Sequence, residues 1–463
     1  MNLNMKKITI VVAATILGTA HGAYAAEADK LGTELTPLGA DKGGNKEGTI
    51  PAMGAPDSPK AGWTQGKNRE DYWAHKGEKP LFSIDASNVD KYADKLSPAQ
   101  VQMLKQTKGY RMDIYPTYRT CSAPDFVQAN TKTNATRGKI GSDGWSLEDA
   151  ALPGVPFPLP KKGIEVLWNF LAGYQGVGVE LKNGLTYISP RPGSTEPIKA
   201  GWSQINYFPW AKKGSTSPSG VDGYKQGFYY TYNTPAAFAG QGIVENLYFK
   251  KELEAFYYFT GQRRVRRLPA YAYDAPVIGF ENQYPIDATN LYFGNPDRFD
   301  WKLLGKKEMY ISYNNFKFND GSIKAEDAFR ENSINPALER YELHRVWVVE
   351  GTVKQGFRHS APKKVMYFDE DSWNVAVGDD YDAQGKIWKL KENKILPVWE
   401  LGGTCANTVL AMYDLVGGRY VADNVVFGAG AGRDMQWFAE AGNNPKLKDN
   451  FYTADNLKTI SER

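Results

Sequence analysis

Hydrophobic positions along this chain fall into three regimes. From Ile8 to Gly18 they are nearly continuous, behind Lys6 and Lys7 and ahead of Ala23-Tyr24-Ala25. A positive end, a short apolar centre and small residues two apart predict a cleavable secretory signal over residues 1–25. The run is too short for a permanent bilayer-spanning helix, which takes about 20 apolar residues. Residues 26–80 are poor in aliphatics and rich in Gly, Pro, Lys and Asp, a pattern that predicts an extended N-terminal arm laid over a domain surface. Periodic patterns return over residues 81–463 and predict a single domain with loop insertions.

Helical spacing is clear twice. Leu96 to Gly109 carries Ser97 as a cap, Pro98 at the first helical position and Gln100 to complete a capping box, with Leu96 and Val101 placed for a hydrophobic staple. Ile164, Leu167, Trp168 and Leu171 follow the i, i+3, i+4, i+7 stripe of a second helix, led in by the proline-rich Pro153 to Pro160. Elsewhere the pattern is β. Val177–Leu181 and Leu185–Ile188 flank Asn183-Gly184 and predict a hairpin. Segments 226–234, 252–259, 263–268, 307–318, 345–352, 364–368, 373–377 and 387–390 read as successive strands, and 409–416 pairs with 419–427 around Gly417-Gly418. Pro190 to Gly223 reads as a loop. Short turns between neighbouring strands imply an antiparallel meander. The predicted class is α+β: a large curved antiparallel sheet, a half-open barrel, with helices across its concave face and an apolar pocket between the layers.

Composition narrows the function. Removing Lys6 and Lys7 from 56 basic residues leaves 54 against 52 acidic ones, a net of +2, too little charge for a nucleic-acid binder. Aromatics make up 13 % of the chain, with 28 Tyr and 12 Trp; they suit sheet packing first, and a cavity lined by amphipathic rings second. Cys121 and Cys405 are the two cysteines. In an oxidising compartment a disulfide is their simplest use, although sequence leaves the pairing open. Neither lies near the cleavage point, so no lipid anchor is expected there.

The motifs point away from enzymology. Gly428-Ala429-Gly430-Ala431-Gly432-Arg433 lacks the dinucleotide-loop spacing and is read as a loop. Asp380-Tyr381-Asp382 begins like a calcium loop but places Lys391 where a bidentate Glu is required, so a polar turn is expected. Asp369-Glu370-Asp371 is read as a solvated turn, with weak cation binding as the alternative. His344 and His359 are read as structural. No catalytic residue, metal set or cofactor is assigned. Arg263, Arg264, Arg266 and Arg267 put arginine on both faces of one strand, which suits a solvated edge or a contact for an anionic group or acidic partner.

Several segments together carry a resemblance. Pro156-Phe157-Pro158-Leu159-Pro160 with Gly163-Ile164-Glu165-Val166-Leu167-Trp168-Asn169, then Gly261-Gln262-Arg263-Arg264-Val265-Arg266-Arg267 and Tyr273-Asp274, are followed by Lys364-Val365-Met366-Tyr367-Phe368-Asp369-Glu370-Asp371-Ser372-Trp373. Tyr381-Asp382-Ala383-Gln384-Gly385, Tyr413-Asp414-Leu415 and Gly418-Arg419-Tyr420 complete the set. With these residues the chain resembles the DUF1329 family of exported proteobacterial proteins. That resemblance implies a LolA/LolB-like lipoprotein-carrier fold, a hydrophobic pocket, and work beside an RND/MMPL-type transporter and a DUF1302-like outer-membrane protein. The family has no agreed catalytic residues to carry over.

The leading expectation is therefore a periplasmic carrier or adaptor for a lipid or other hydrophobic molecule, with Trp168, Phe170, Tyr258, Trp347 and Trp373 as candidate lining. A non-enzymatic envelope docking protein is the second reading. A hydrolase of a lipid-like substrate, built around His344 or His359, is the third.

Overall fold

In a computed structural model the described residues are 27–268, 273–320, 322–427 and 435–462. The expected signal segment and the Gly428–Arg433 loop lie outside them. The chain begins with an arm that carries one short helix, α1 (Arg69–Tyr72). Next come β1 (Phe82–Ile84), α2 (Pro98–Gln106), β2 (Met112–Ile114) and α3 (Asp125–Arg137). A small ribbon of β3 (Lys139–Ile140) and β4 (Leu147–Asp149) precedes α4 (Gly163–Leu171). A first meander follows: β5 (Gly178–Ile188), β6 (Ile198–Tyr207), β7 (Tyr224–Thr234), β8 (Gly242–Tyr248), β9 (Glu254–Phe259) and β10 (Arg264–Arg267). The second meander is β11 (Phe299–Ser312), α5 (Ala325–Ala328), β12 (Tyr341–Val353), β13 (Lys363–Asp369), β14 (Val375–Tyr381), β15 (Ile387–Val398), β16 (Thr404–Asp414) and β17 (Tyr420–Val425). Last come β18 (Met435–Phe438) and α6 (Ala454–Ser461).

The two meanders form one sheet because β17 pairs with β5. Sixteen strands take part, in the order β1-β2-β12-β13-β14-β15-β16-β17-β5-β6-β7-β8-β9-β10, with β11 on β12 and β18 on β5. All pairs are antiparallel except a single parallel contact, Tyr341 with Ile114. The path ends at β1 and β10 without closing, so the expected open antiparallel sheet with few helices is what forms.

Strand alternation gives the sheet two buried faces. Ala406, Leu410 and Met412 of β16 join one core with Trp168 of α4, whereas Cys405, Val409 and Tyr413 join another with Met103 of α2. The capping box of α2 is present: the Ser97 hydroxyl accepts from the Gln100 amide N–H, and the Gln100 side chain accepts from the Ser97 N–H. The Cys121–Cys405 disulfide fastens the segment before α3 to β16.

Four features differ from the sequence reading, one of them a helix, α3, that it did not predict. Asn183-Gly184 does not reverse the chain. Asn183 takes φ +54° inside the continuous strand β5, and the register jumps from Leu181 opposite Gln204 to Gly184 opposite Trp202, a bulge in place of a turn. Residues 190–223, read as a loop, contain β6, whose pattern is diluted by Lys199, Gly201 and Ser203. Helix α3 lacks an apolar stripe because polar side chains do its packing. Asn134 donates to the Ala151 and Val155 carbonyls, and Asn130 to that of Pro153, holding the proline-rich segment by its backbone.

The fourth correction concerns Asp369-Glu370-Asp371, which is buried, not solvated. Arg119 forks onto both oxygens of Asp371 at 2.9 and 2.7 Å, while Arg345 and Lys306 meet Glu370. Arg119 also donates to the Asp41 carbonyl at 2.6 Å, and Trp373 Nε1 to that of Leu38 at 2.9 Å, so this turn pins the arm. The polar turn expected from Asp380 to Gly385 forms only at Asp382–Lys386, with Asp382 accepting from the Gln384 and Lys386 amides, whereas Asp380 is buried in β14 and pairs with Lys391.

The bulge generates a test. A Cβ on Gly184 would stand 2.4 Å from the buried Trp202 ring. Gly184→Ala is expected to lower stability by about 1–3 kcal/mol, measured by chemical denaturation. Placing Ala at exposed Gly32 serves as a poor control because Gly32 has φ +85°; exposed Gly43, with open space around it and no such φ, is the proper one.

Candidate functional site

β7 alternates aromatic residues at spacing two, so Phe228, Tyr230 and Tyr232 share one face. Register carries that face across the neighbouring strands. Gln204 of β6 lies opposite Tyr230, Glu245 of β8 opposite Phe228, and Ile243 of β8 opposite both Tyr230 and Tyr257 of β9. Thr186 of β5 and Asp423 of β17 extend the wall beyond β6. A strap, residues 273–297, crosses over this face and supplies Val277, Phe280, Tyr284, Ile286, Thr289 and Phe293. Between strap and sheet lies a cavity of about 70 Å³, room for on the order of five water molecules or an equivalent small guest.

The strap is held by polar contacts made where the sheet face is charged. Asp287 meets His359 Nε2 at 2.8 Å and Lys364 Nζ at 3.1 Å. Burial opposes ionisation of Asp287, but Lys364 and His359 outweigh it and hold the carboxyl well below the usual carboxylate range. Lys391 donates to the Leu291 carbonyl at 3.3 Å and Asn393 to that of Asn290 at 3.2 Å. Nearer its start, Glu281 takes Arg191 and Arg419.

The cavity's own polar groups are acidic or phenolic. Both Asp423 oxygens are engaged: Thr186 donates to one and Tyr284 to the other, each at 2.5 Å. Burial still pushes its carboxyl up despite those bonds. Burial likewise holds the phenols of Tyr230 and Tyr284 well above their ordinary value and pushes Tyr257 up to about 12. Glu245 is 3 % exposed, and its carboxyl forms no hydrogen bond or ion pair among the described residues. Burial alone pushes it up to about 8. Among the described residues no lysine, arginine or histidine lines the space. The arrangement can shelter an apolar body and offer it one unengaged carboxyl.

The residues singled out from sequence are placed elsewhere. Trp168 is core: its Nε1 donates to the Trp145 carbonyl at 2.6 Å, and the buried Lys225 ammonium, pushed down to about 8 by burial, lies 5.6 Å from its ring. Phe170 and Trp373 border a second, smaller space of about 40 Å³, and Trp347 stacks on Trp373 at 6.1 Å. Tyr258 points to the opposite face from Tyr257 and packs with Val244 and Leu457. Sequence reasoning missed Phe228, Tyr230, Tyr232 and Glu245, although the three aromatics at alternate positions 228, 230 and 232 were a readable signal. Arg263, Arg264, Arg266 and Arg267 are exposed at the β10 edge, where Arg267 meets Glu254 at 3.2 Å.

Neither histidine gathers a serine–histidine–acid set among the described residues. His359 spends Nε2 on Asp287 and accepts the Ala361 N–H at Nδ1. His344 stacks on Tyr313 at 3.8 Å and meets Glu342 at 3.3 Å. With Asp369 and Asp371 it brings possible metal-ligating atoms within 4.8 Å of one another. Arg119 already occupies both oxygens of Asp371, so the cluster reads as an ion-pair network.

A family model described as "Protein of unknown function (DUF1329)" matches residues 83–458. The chain is similar to "Uncharacterized protein PA3922" of Pseudomonas aeruginosa, with 38 % identity over 437 residues, 89 % of this chain and 91 % of that one. Among solved structures, it is similar to a putative outer membrane lipoprotein-sorting protein domain from Vibrio parahaemolyticus (13 % identity, TM-score 0.43, covering 64 % of this chain and 98 % of that one). It is also similar to a DUF1329 family protein from Desulfovibrio piger (11 %, TM-score 0.39, 60 % and 92 %). A third likeness is to LolA superfamily protein NE2245 from Nitrosomonas europaea (12 %, TM-score 0.35, 64 % and 99 %). Among the described residues no helix is long and apolar enough to cross a membrane.

The buried Glu245 carboxyl has a consequence for stability. A carboxyl raised from 4.5 to about 8 in the folded state favours folding fully below about pH 4.5, and that contribution is lost as pH rises towards 8, at about 1.4 kcal/mol per unit. Glu245→Gln should therefore unfold at a higher denaturant concentration than the parent at pH 8, while the two converge near pH 4. Parallel curves at every pH would contradict this assignment.

Proposed function

The chain belongs to the DUF1329 family, and from the cavity beneath its strap we propose that it is a periplasmic carrier that shelters a hydrophobic molecule between the β7–β9 face and residues 273–297. The observation that carries this reading is an aromatic-walled space that the protein's own side chains leave unfilled. An empty apolar space of that size costs the fold on the order of 1–2 kcal/mol, and an apolar guest offsets that cost. Burying a six-carbon chain contributes about 0.8 kcal/mol per CH₂, enough for measurable binding. In its present closed form the cavity suits a small guest, so a larger lipid enters only with the strap lifted. A secretory start at residues 1–25 and the Cys121–Cys405 bridge support a periplasmic setting. Delivery to or from an RND/MMPL-type transporter, with a DUF1302-like outer-membrane protein, is the partnership this reading adopts.

One observation favours a second reading. Arg264, Arg266 and Arg267 stand exposed on the terminal strand of the sheet, a strip suited to an acidic envelope partner. The variant carrying Arg264→Glu and Arg266→Glu separates the two: loss of partner co-purification with ligand uptake intact assigns that strip to docking alone.

The carrier reading is tested with N-phenyl-1-naphthylamine, a dye uncharged at neutral pH, and by native mass spectrometry of protein purified without detergent. The parent should enhance dye fluorescence, and Ile243→Trp, which fills the cavity floor, should weaken binding at least tenfold. A parent protein that takes up no dye and carries no extra mass overturns it.

A further inference from the structure

Resting on the carrier reading, we propose that the cavity selects a cationic apolar amine, with the Glu245 carboxylate as counter-ion to its nitrogen. The guest is a molecule bearing one ammonium group, protonated or quaternary, on an apolar body.

Three observations lead there. The first is how differently this chain treats its other buried acids. Asp287 has Lys364 and His359, Asp380 has Lys391 at 2.9 Å, and Asp371 has Arg119. Glu180 has Lys446, and Glu339 has Lys394. Even Asp379, which lacks a cation, accepts from the Ser97 hydroxyl at 2.7 Å. Among the described residues Glu245 alone is left without any of these, and it lines the cavity. A buried acid kept without a partner is costly, and the cost is removed when a ligand supplies the missing cation. The second observation is the sign of the surroundings. Asp423 is the other carboxylic acid in the wall, both of its oxygens are taken, and among the described residues no base lines the space. An anionic guest would face two acids and find no counter-charge. The third is the wall itself: Phe228, Tyr230, Tyr232, Tyr257, Phe280 and Tyr284 surround the space with ring faces and edges. Aromatic rings attract cationic nitrogen, quaternary ammonium above all, and they do so best where water is excluded.

Binding of this kind is linked to pH. Glu245 is largely protonated below about pH 8, so an ammonium guest must displace its proton. The titratable groups that share the cavity wall with it are Asp423 from β17, Tyr230 and Tyr232 from β7, Tyr257 from β9 and Tyr284 from the strap, with Gln204 of β6 uncharged. The phenols stay neutral through pH 9, because each is raised by burial. Asp423 titration is common to parent and Glu245→Gln, so the difference between the two isolates Glu245.

The experiment is calorimetric titration of the full mature chain with n-hexylamine, hexyltrimethylammonium, 1-hexanol and hexanoate at pH 8.5. Both cations should bind at least tenfold more tightly than 1-hexanol, and hexanoate more weakly still. The two cations distinguish the sources: a preference for hexylamine indicates a hydrogen-bonded primary ammonium, a preference for hexyltrimethylammonium an aromatic cage. In Glu245→Gln the ratio of cation to alcohol affinity should fall to near one. Parent affinity for hexyltrimethylammonium should weaken about tenfold per pH unit below 8, a slope the variant lacks. Alcohol binding equal to that of the cations, or a cation preference that survives Glu245→Gln, overturns the amine assignment while leaving the carrier reading in place. Uptake of N-phenyl-1-naphthylamine with no hexyl compound bound does the same. No binding of the dye or of any hexyl compound overturns both.

Discussion

The fold depends on the pairing of β17 with β5. Two meanders laid down far apart in the chain become one sheet only at that seam, where Val421 faces Ile188 and Ala422 faces Tyr187. The register then slips between Ala422 and Val425, and Asn424 adopts φ +54°. That bulge turns Asp423 into the layer beneath the strap. A line of hydrogen bonds results: Trp202 Nε1 donates to the Thr186 hydroxyl, Thr186 donates to Asp423, and Tyr284 donates to the same carboxyl. Four separate pieces of chain, β6, β5, β17 and the strap, therefore meet on one side chain. A buried carboxyl satisfied in this way fixes a unique arrangement, because any slip of register leaves it unpaired.

The face beneath the strap is divided along its width, and that division explains the cavity. Over β13–β15 it presents Lys364, Lys389 and Lys391, which bind the strap by charge and by its carbonyls, while Asp380 pairs with Lys391 within the sheet. Over β6–β9 it presents mainly tyrosine, phenylalanine and isoleucine, with Gln204 and Glu245 among them, and the strap faces it with rings, aliphatics and Thr289. Ion pairs with specific geometry set the strap's height, so the apolar half cannot collapse fully onto the sheet. Side-chain packing alone would have closed that gap, as it has around Trp168, Phe249 and Trp210. The free space thus follows from a rigid polar attachment beside a softer apolar one.

Much of the architecture was legible because it is encoded locally. The capping box of α2, the stripe of α4 and the turn between β16 and β17 each rest on a few neighbouring residues whose chemistry permits little else. The failures share a cause as well. Asn183-Gly184 is a turn signal by propensity, but Trp202 across the strand needs the space that a glycine leaves, and tertiary packing turned the dipeptide into a bulge. Asp369-Glu370-Asp371 looks solvated until Arg119, some 250 residues distant in sequence, is placed on it. The cavity was the least legible feature. Choosing large aromatics for its wall favoured Trp168 and Trp373, which are the rings best able to fill core. The wall instead uses Tyr257 while its neighbour Tyr258 faces away, a distinction of strand parity that one residue of register decides.

Among the strap's attachments, those at Asp287 and at Glu281 are unequal in burial. At Asp287 the contacts are buried, and stripping a partner from such a group costs about 3–5 kcal/mol. At Glu281 the bonds to Arg191 and Arg419 lie near the surface, and although they lower its carboxyl to about 2, water and salt screen that attraction. Phe280 adjoins Glu281, whereas Tyr284 donates to the buried Asp423, the Gln283 carbonyl accepts from Lys389 and the Asn290 carbonyl from Asn393, so the strap is fixed on both sides of Tyr284.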